Sequence, residues 1–163
     1  IYEPFNQSRR IIGFVTFEGY TSISNNDKGS HTIKDGGYST SENYNEYLES
    51  LIDYHEKNNV LGAIKKHTLV KGDVTKTAPE YFSNNSDLII ALAYFDMALY
   101  EPSKAALQAI KPHLIAGSVL MLDEFNNYDY PGETKAFKEV FIDVPFKAIK
   151  SRYMNDRTFI IIL

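Results

Sequence analysis

Three acidic residues carry the clearest chemistry in this chain: Asp96 closes the apolar run DLIIALAYFD, and Asp123 with Glu124 closes a second run within GSVLMLDEF. Carboxylates brought together repel unless a positive group joins them, and a set made only of oxygen donors suits a hard cation such as Mg2+ or Ca2+. A plainer reading stands beside that one, because acidic residues after strands also serve as turn formers and helix N-caps. What would gather the three is the order of elements around them. Between the two runs, PSKAALQAI places Ala105, Ala106, Ala109 and Ile110 at helical spacing, with Pro102 near its start and Pro112 just past its end. Strand, helix and strand in that order make a β-α-β unit. Ligands of open parallel sheets collect at the carboxyl ends of the strands, so Asp96, Asp123 and Glu124 are expected to share one edge.

The remaining elements can be read around this unit. RRIIGFVTF (9–17) is a short β-type run, and the polar segment 18–42 that follows is long enough to predict a lid or substrate loop in which Tyr20, His31 and Tyr38 are candidate functional side chains, with a mobile surface loop as the equal alternative. From Ser41 the pattern turns helical, and Tyr44, Tyr47, Leu48, Leu51, Ile52 and His55 recur at spacings of three and four, which predicts a core-facing stripe. KKHTLVKGDV reads as a strand ending at Gly72 and Asp73, and TAPEYF as a short helix or turn. His55 and His67 read as ordinary surface or half-buried residues, since neither has a partner at metal-ligand spacing. Beyond the second acidic strand come a loop, NNYDYPGE, a helix, ETKAFKEVF, and two β-type stretches, DVPFKAI and TFIIIL, that form an antiparallel closing pair. The succession predicts one doubly wound α/β domain over 1–163, with a mixed sheet and no internal repeat or linker.

Composition limits the classes of function. The chain has 163 residues, 44% of them apolar and 23% charged, which is ordinary for a soluble globular protein able to bury about two thirds of its unfolded surface. A net charge of −4 gives no reason to expect a nucleic-acid partner, and no apolar run is long enough to span a membrane. The absence of cysteine excludes disulfides, thiolate catalysis and zinc-cysteine sites, so a reducing, cytoplasmic location is expected. The chain opens on Ile1, in what reads as the loop before a strand, and this points to natural sequence upstream.

At residue level, FDMALYEPSKAALQAIKPHLIAGSVLMLDEF followed by YPGETKAFKEV resembles the macrocin- and novobiocin-type sugar O-methyltransferases. Members of that family carry an Asp-x-Asp-x-Tyr strand end, a Glu-Pro-Thr-Lys-like helix start, a Gly-led strand ending in two acidic residues, and a Pro-Gly-x-x-x-Ala helix start. IIGFVTFEGY is similar to the family's second strand and VKGDVTKTAPEYF to its third, so the resemblance covers most of the chain. It implies a Rossmann-like methyltransferase fold, a mostly parallel sheet with a C-terminal antiparallel hairpin, here without the family's first strand. The implied reaction is S-adenosyl-L-methionine-dependent, Mg2+-assisted methyl transfer to a hydroxyl of a sugar or related small molecule. By that resemblance Asp96, Asp123 and Glu124 hold the metal, Asp73 lies near the cofactor's adenine, and Glu18 with Gly19 flanks the pocket.

Three positions depart from the family's pattern. The second Asp of Asp-x-Asp, the family's general base, is Ala98 here, and the acidic residue expected at the end of the second strand is Val15. No G-x-G-x-x-G-like stretch occurs in the chain. A fragment of a working enzyme and a degenerate binding or assembly domain are therefore both consistent with the sequence. A plain interaction module using its 12 tyrosines is a third reading, and the resemblance also implies a possible homo-oligomer.

Overall fold

The computed structural model describes residues 5–27 and 30–163, so the readings placed on Ile1 and Gly29 lie outside it. Its strands are β1 (Ile11–Val15), β2 (His67–Lys71), β3 (Leu92–Phe95), β4 (Val119–Leu122), β5 (Phe146–Lys150) and β6 (Thr158–Ile162). Its α-helices are α1 (Tyr44–Lys57), α2 (Val74–Asn84), α3 (Tyr100–Ile110) and α4 (Gly132–Val140). β1 and β2 form a parallel pair, while the other four strands form a second sheet in the order β3-β4-β6-β5. In that sheet β3 and β4 run parallel, with Phe95 opposite Leu122, and β6 lies antiparallel to both β4 and β5. The expected fold is present, with its sheet in two pieces. Among the described residues no strand joins β1 to β3, and Ile11, Leu92 and Tyr94 are exposed by 70%, 63% and 48%.

Local chemistry explains where the elements start. Asp73 N-caps α2 by accepting a 2.9 Å hydrogen bond from the Thr75 N–H, and Pro102 falls in the first turn of α3, where a missing N–H costs nothing. The apolar run 87–91 is not strand: Ile90 donates its N–H to the His113 carbonyl and accepts from the Ser118 hydroxyl, so its backbone is spent on loop contacts.

The core lies where α3 and α4 cover the larger sheet, around Leu107, Leu120, Leu122, Phe137, Phe141 and Ile160. Phe137 stacks on Phe141 at 5.0 Å and meets Phe125 and Phe146 edge-on. The two sheets are held together by α2. Phe82 lies 5.9 Å from Phe14 of β1 and 4.9 Å from His113 after α3, while Tyr81 packs edge-on against the same Phe14.

Two sequence expectations fail. The α1 stripe is not core: the helix has no buried residue, and Tyr47 is 59% exposed, because among the described residues α1 leans chiefly on β2. Periodicity records that a face is apolar, not that anything covers it. His67 is not an ordinary surface residue either, being 3% exposed at the start of β2. Because Phe82 links both sheets, Phe82→Ala should cost about 3–5 kcal/mol in urea unfolding. Tyr128→Ala, at a position 91% exposed, should change little.

Candidate active site

β3 and β4 end side by side, and their ladder continues one step as the Asp123 N–H donates to the Phe95 carbonyl at 3.1 Å. Asp96, Asp123 and Glu124 thus come together as the sequence predicts, one carboxylate oxygen of each lying within 4.8 Å of the others. The cluster is unevenly neutralised. Asp123 accepts from both Nε and Nη2 of Arg157, which comes from the turn between β5 and β6, and Asp96 accepts from the Tyr94 hydroxyl at 3.1 Å. The Arg157 guanidinium also lies over the Tyr94 ring, 5.6 Å from its centroid.

Glu124 lacks such a counter-charge. Burial, then the charges of Asp123 and Asp96, push its carboxyl up to about 7. Behind it stands Glu133 of α4, fully buried, whose Oε2 accepts from the Glu124 N–H at 2.9 Å. Burial and the Glu124 charge hold Glu133 well above the usual carboxylate range. Glu124 Oε2 and Glu133 Oε1 are buried without a hydrogen-bond partner. An all-oxygen donor set with an unmet buried carboxylate oxygen fits a divalent cation.

The 18–42 segment reaches this edge through Asp27, which is 3% exposed. Leu99, the N-cap residue of α3, offers no side-chain acceptor, and Asp27 Oδ1 supplies one by accepting from the Tyr100 N–H at 2.6 Å. Its Oδ2 accepts from the N–H and hydroxyl of Ser24, so the loop is folded around its own cap. Gly132 makes room for this joint: a Cβ there would stand 2.4 Å from Asp27 Oδ1 and 2.5 Å from the Tyr100 nitrogen. Lys135 of α4 donates to the Asn26 carbonyl at 2.8 Å, and Tyr130 and Thr32 share a 2.6 Å hydroxyl pair. Burial, then the neighbouring Tyr130 and Glu124, keep the Tyr20 phenol protonated well beyond its usual range. Ala98, between Asp96 and α3, is 2% exposed in the left-handed region at φ 58°.

Glu18, Gly19 and Asp73 form a separate group at the ends of β1 and β2, where the Gly72 N–H donates to the Val15 carbonyl at 3.0 Å. Glu18 is exposed. Gly19, at φ 82°, runs so close to the 36–37 turn that a Cβ would lie 2.3 Å from the Gly37 carbonyl. Asp73 accepts from the Ser22 hydroxyl at 3.0 Å in addition to capping α2. Asp27, Glu133, Tyr130 and Arg157 were not singled out in the sequence as site residues. For Glu133 the Pro-Gly-Glu helix start was a signal, whereas Arg157 sits in a polar turn that gives none.

A β-α-β unit followed by a closing antiparallel hairpin is the order of elements of the Rossmann-like methyltransferase class, to which structural similarity assigns the fold. The chain superposes on the crystal structure of CalS11, a calicheamicin methyltransferase, with a TM-score of 0.89 and 37% identity over 98% of its own length. Within the class it is a relative of the macrocin- and novobiocin-type sugar O-methyltransferases, as its motifs implied. An apo structure of CalS11, described as a TDP-rhamnose 3'-O-methyltransferase, matches with a TM-score of 0.76 and 35% identity over 98% of this chain and 61% of its own. The O-methyltransferase NovP, at 17% identity over 93% of this chain and 59% of its own, shares the fold with a TM-score of 0.66. The chain spans 63% of the length of the first CalS11 structure. No family model and no curated protein matches it. No helix among the described residues is long and apolar enough to cross a membrane.

Glu124 makes stability depend on pH. Its folded-state pKa lies above the ordinary 4.5, so its stabilising contribution is complete below that value and disappears as the pH rises through about 7. Glu124→Gln should therefore melt close to the parent at pH 4.5 and be more stable at pH 8. With allowance for partial solvent exposure, the gain is about 1–2 kcal/mol. At the loop joint, Gly132→Ala should cost about 2 kcal/mol or more in thermal melting. It should also raise protease cleavage within 18–42 selectively, whereas Gly117→Ala, which strains a backbone at φ 94° away from that loop, should not single out 18–42 for cleavage.

Proposed function

We propose that the protein transfers a methyl group from S-adenosyl-L-methionine to a hydroxyl of a sugar or related small molecule, assisted by Mg2+. The carrying observation is the oxygen-only cluster at the ends of β3 and β4, in a chain 37% identical to a calicheamicin methyltransferase. That relative's activity on TDP-rhamnose supports a nucleotide-linked sugar as the acceptor class.

In this reading Asp96, Asp123 and Glu124 hold the cation. When bound there, it would lower the pKa of an acceptor hydroxyl and orient its oxygen toward the sulfonium methyl. The chain's own groups supply the surroundings. Asp27 holds the 18–42 loop against α3, the Tyr20 phenol stays a protonated donor near the carboxylates, and the Tyr130 hydroxyl pairs with Thr32 at the loop. Glu133 fixes the Glu124 backbone by accepting from its N–H. Glu18, Gly19 and Asp73 form the ledge assigned to the cofactor's nucleoside end.

Ala98 cannot take a proton, and Val15 cannot hydrogen-bond a ribose hydroxyl through its side chain. These two positions favour a second reading, a degenerate binding or assembly domain that retains the acidic site.

Isothermal titration and a methyl-transfer assay separate the readings. Asp123→Asn should weaken Mg2+ at least about tenfold, the scale reached even by outer-shell partners, while Asp129→Asn leaves affinity unchanged. Arg157→Met, which removes the counter-ion of Asp123, should tighten Mg2+. Transfer of labelled methyl from S-adenosyl-L-methionine to a nucleoside-diphosphate sugar by the protein supports the enzyme. Mg2+ binding without S-adenosylhomocysteine binding or transfer supports the degenerate domain, and equal Mg2+ affinity in both aspartate variants removes the ligand set.

A further inference from the structure

A second group of ligand-type side chains lies at the opposite end of β2 from Asp73. His67, the first residue of that strand, has a side chain only 1% exposed and is faced by three carboxylates of α1. Glu56 Oε2 stands 2.9 Å from Nδ1, while Glu49 Oε1 and Asp53 Oδ1 stand 3.2 and 3.6 Å from Nε2. A neutral imidazole carries one N–H and one lone pair. A ring protonated on Nε2 donates to Glu49 Oε1 at 3.2 Å and leaves the Nδ1 lone pair against Glu56, whereas one protonated on Nδ1 turns the Nε2 lone pair on Glu49 and Asp53, so in either tautomer a lone pair meets a carboxylate. Among the described residues Lys65 pairs with these acids, 2.6 Å from Glu49 Oε1 and open to water. Such an exposed pair contributes little and is readily exchanged.

We propose that this cluster is a divalent-cation site of the Zn2+ or Mn2+ type, with His67 Nε2, Glu49 and Asp53 as ligands and Glu56 as the carboxylate that orients the ring. The geometry supports this. Two donors each about 2.1 Å from a tetrahedral ion stand about 3.4 Å apart, between the two distances found at Nε2. Glu49 and Asp53 are one turn apart on α1, and one ligand atom from each falls within 4.8 Å of the other and of the His67 nitrogen. Glu56 Oε2, 2.9 Å from Nδ1, stands on the side of the ring where a carboxylate fixes the tautomer of metal-bound histidines, although it is not aligned for a hydrogen bond in the structure. Nδ1 is buried and has no well-formed hydrogen bond in the structure, so the ring is not satisfied by protein alone. An open cavity of about 390 Å3, lined in part by Phe17, Glu49, Ser50, Asp53 and Lys71, gives entry from solvent. Imidazole mixed with carboxylates suits Zn2+ or Mn2+ and separates this site from the all-oxygen cluster at the other end of the strands. Its role is a staple. α1 has no buried residue, and an ion shared between α1 and β2 supplies the attachment that apolar packing does not.

The test is titration with ZnCl2 and MnCl2 in an Asp96→Asn/Asp123→Asn background, which removes the other acidic cluster and keeps the two sites distinguishable. One equivalent should bind with a rise in melting temperature, and the His67 imidazole nitrogens should shift in 15N NMR at Nε2. Glu49→Gln and Asp53→Asn, at half-exposed helix positions that the fold tolerates, should each weaken binding at least tenfold, and His67→Gln should abolish it. Absence of a bound equivalent, or binding indifferent to Glu49→Gln and Asp53→Asn, overturns the site. So does a ring found doubly protonated at neutral pH with no metal affinity, for then a proton alone bridges the carboxylates.

Discussion

Negative charge gathered at the ends of two parallel strands is the constraint that the neighbouring structure answers. β3 and β4 must lie side by side for their backbones to pair, and that brings Asp96 against Asp123 and Glu124 whether or not the carboxylates tolerate it. Each response is local. Arg157 turns inward from the closing hairpin, Tyr94 donates its hydroxyl, and Glu124, with neither, moves its protonation toward neutral pH. Such concentrated repulsion opposes folding, and it persists beside a buried, under-satisfied Glu133.

The loop above the site is bound into the same structure by a helix cap from a distance. α3 begins just after Ala98 with a residue that cannot cap it, and the acceptor comes from Asp27, 73 residues earlier in the chain. Gly132 of α4 is pressed against that bond, so loop, α3 and α4 meet at a point without room for a methyl group. Ordering of the loop, the start of α3 and the position of Glu133 one residue further on are therefore coupled through one joint.

Much of this was legible in the sequence where backbone pattern and chemistry coincide. The ends of the two apolar runs located the acidic cluster, and helical spacing between two prolines located α3. What was not legible depends on contacts made far along the chain. Arg157 reaches Asp123 from 34 residues away through a polar turn, and Asp27 serves a helix whose start it does not adjoin. The α1 stripe was misread because spacing shows a face to be apolar without showing a neighbour, and His67 because its partners sit on a helix rather than at motif spacing in sequence.

The divided sheet has a consequence for how binding and cohesion are linked. Among the described contacts, the smaller pair of strands meets the rest through the aromatic packing of α2 and through the 18–42 loop. That loop is bonded on one side to Asp73, after β2, and on the other to the start of α3. A ligand that orders the loop thereby spans both halves, and its binding free energy adds to the cost of separating them. By reciprocity, anything that loosens α2 at Phe82 weakens that ligand without touching it, so affinity becomes a gauge of how firmly the two halves are joined.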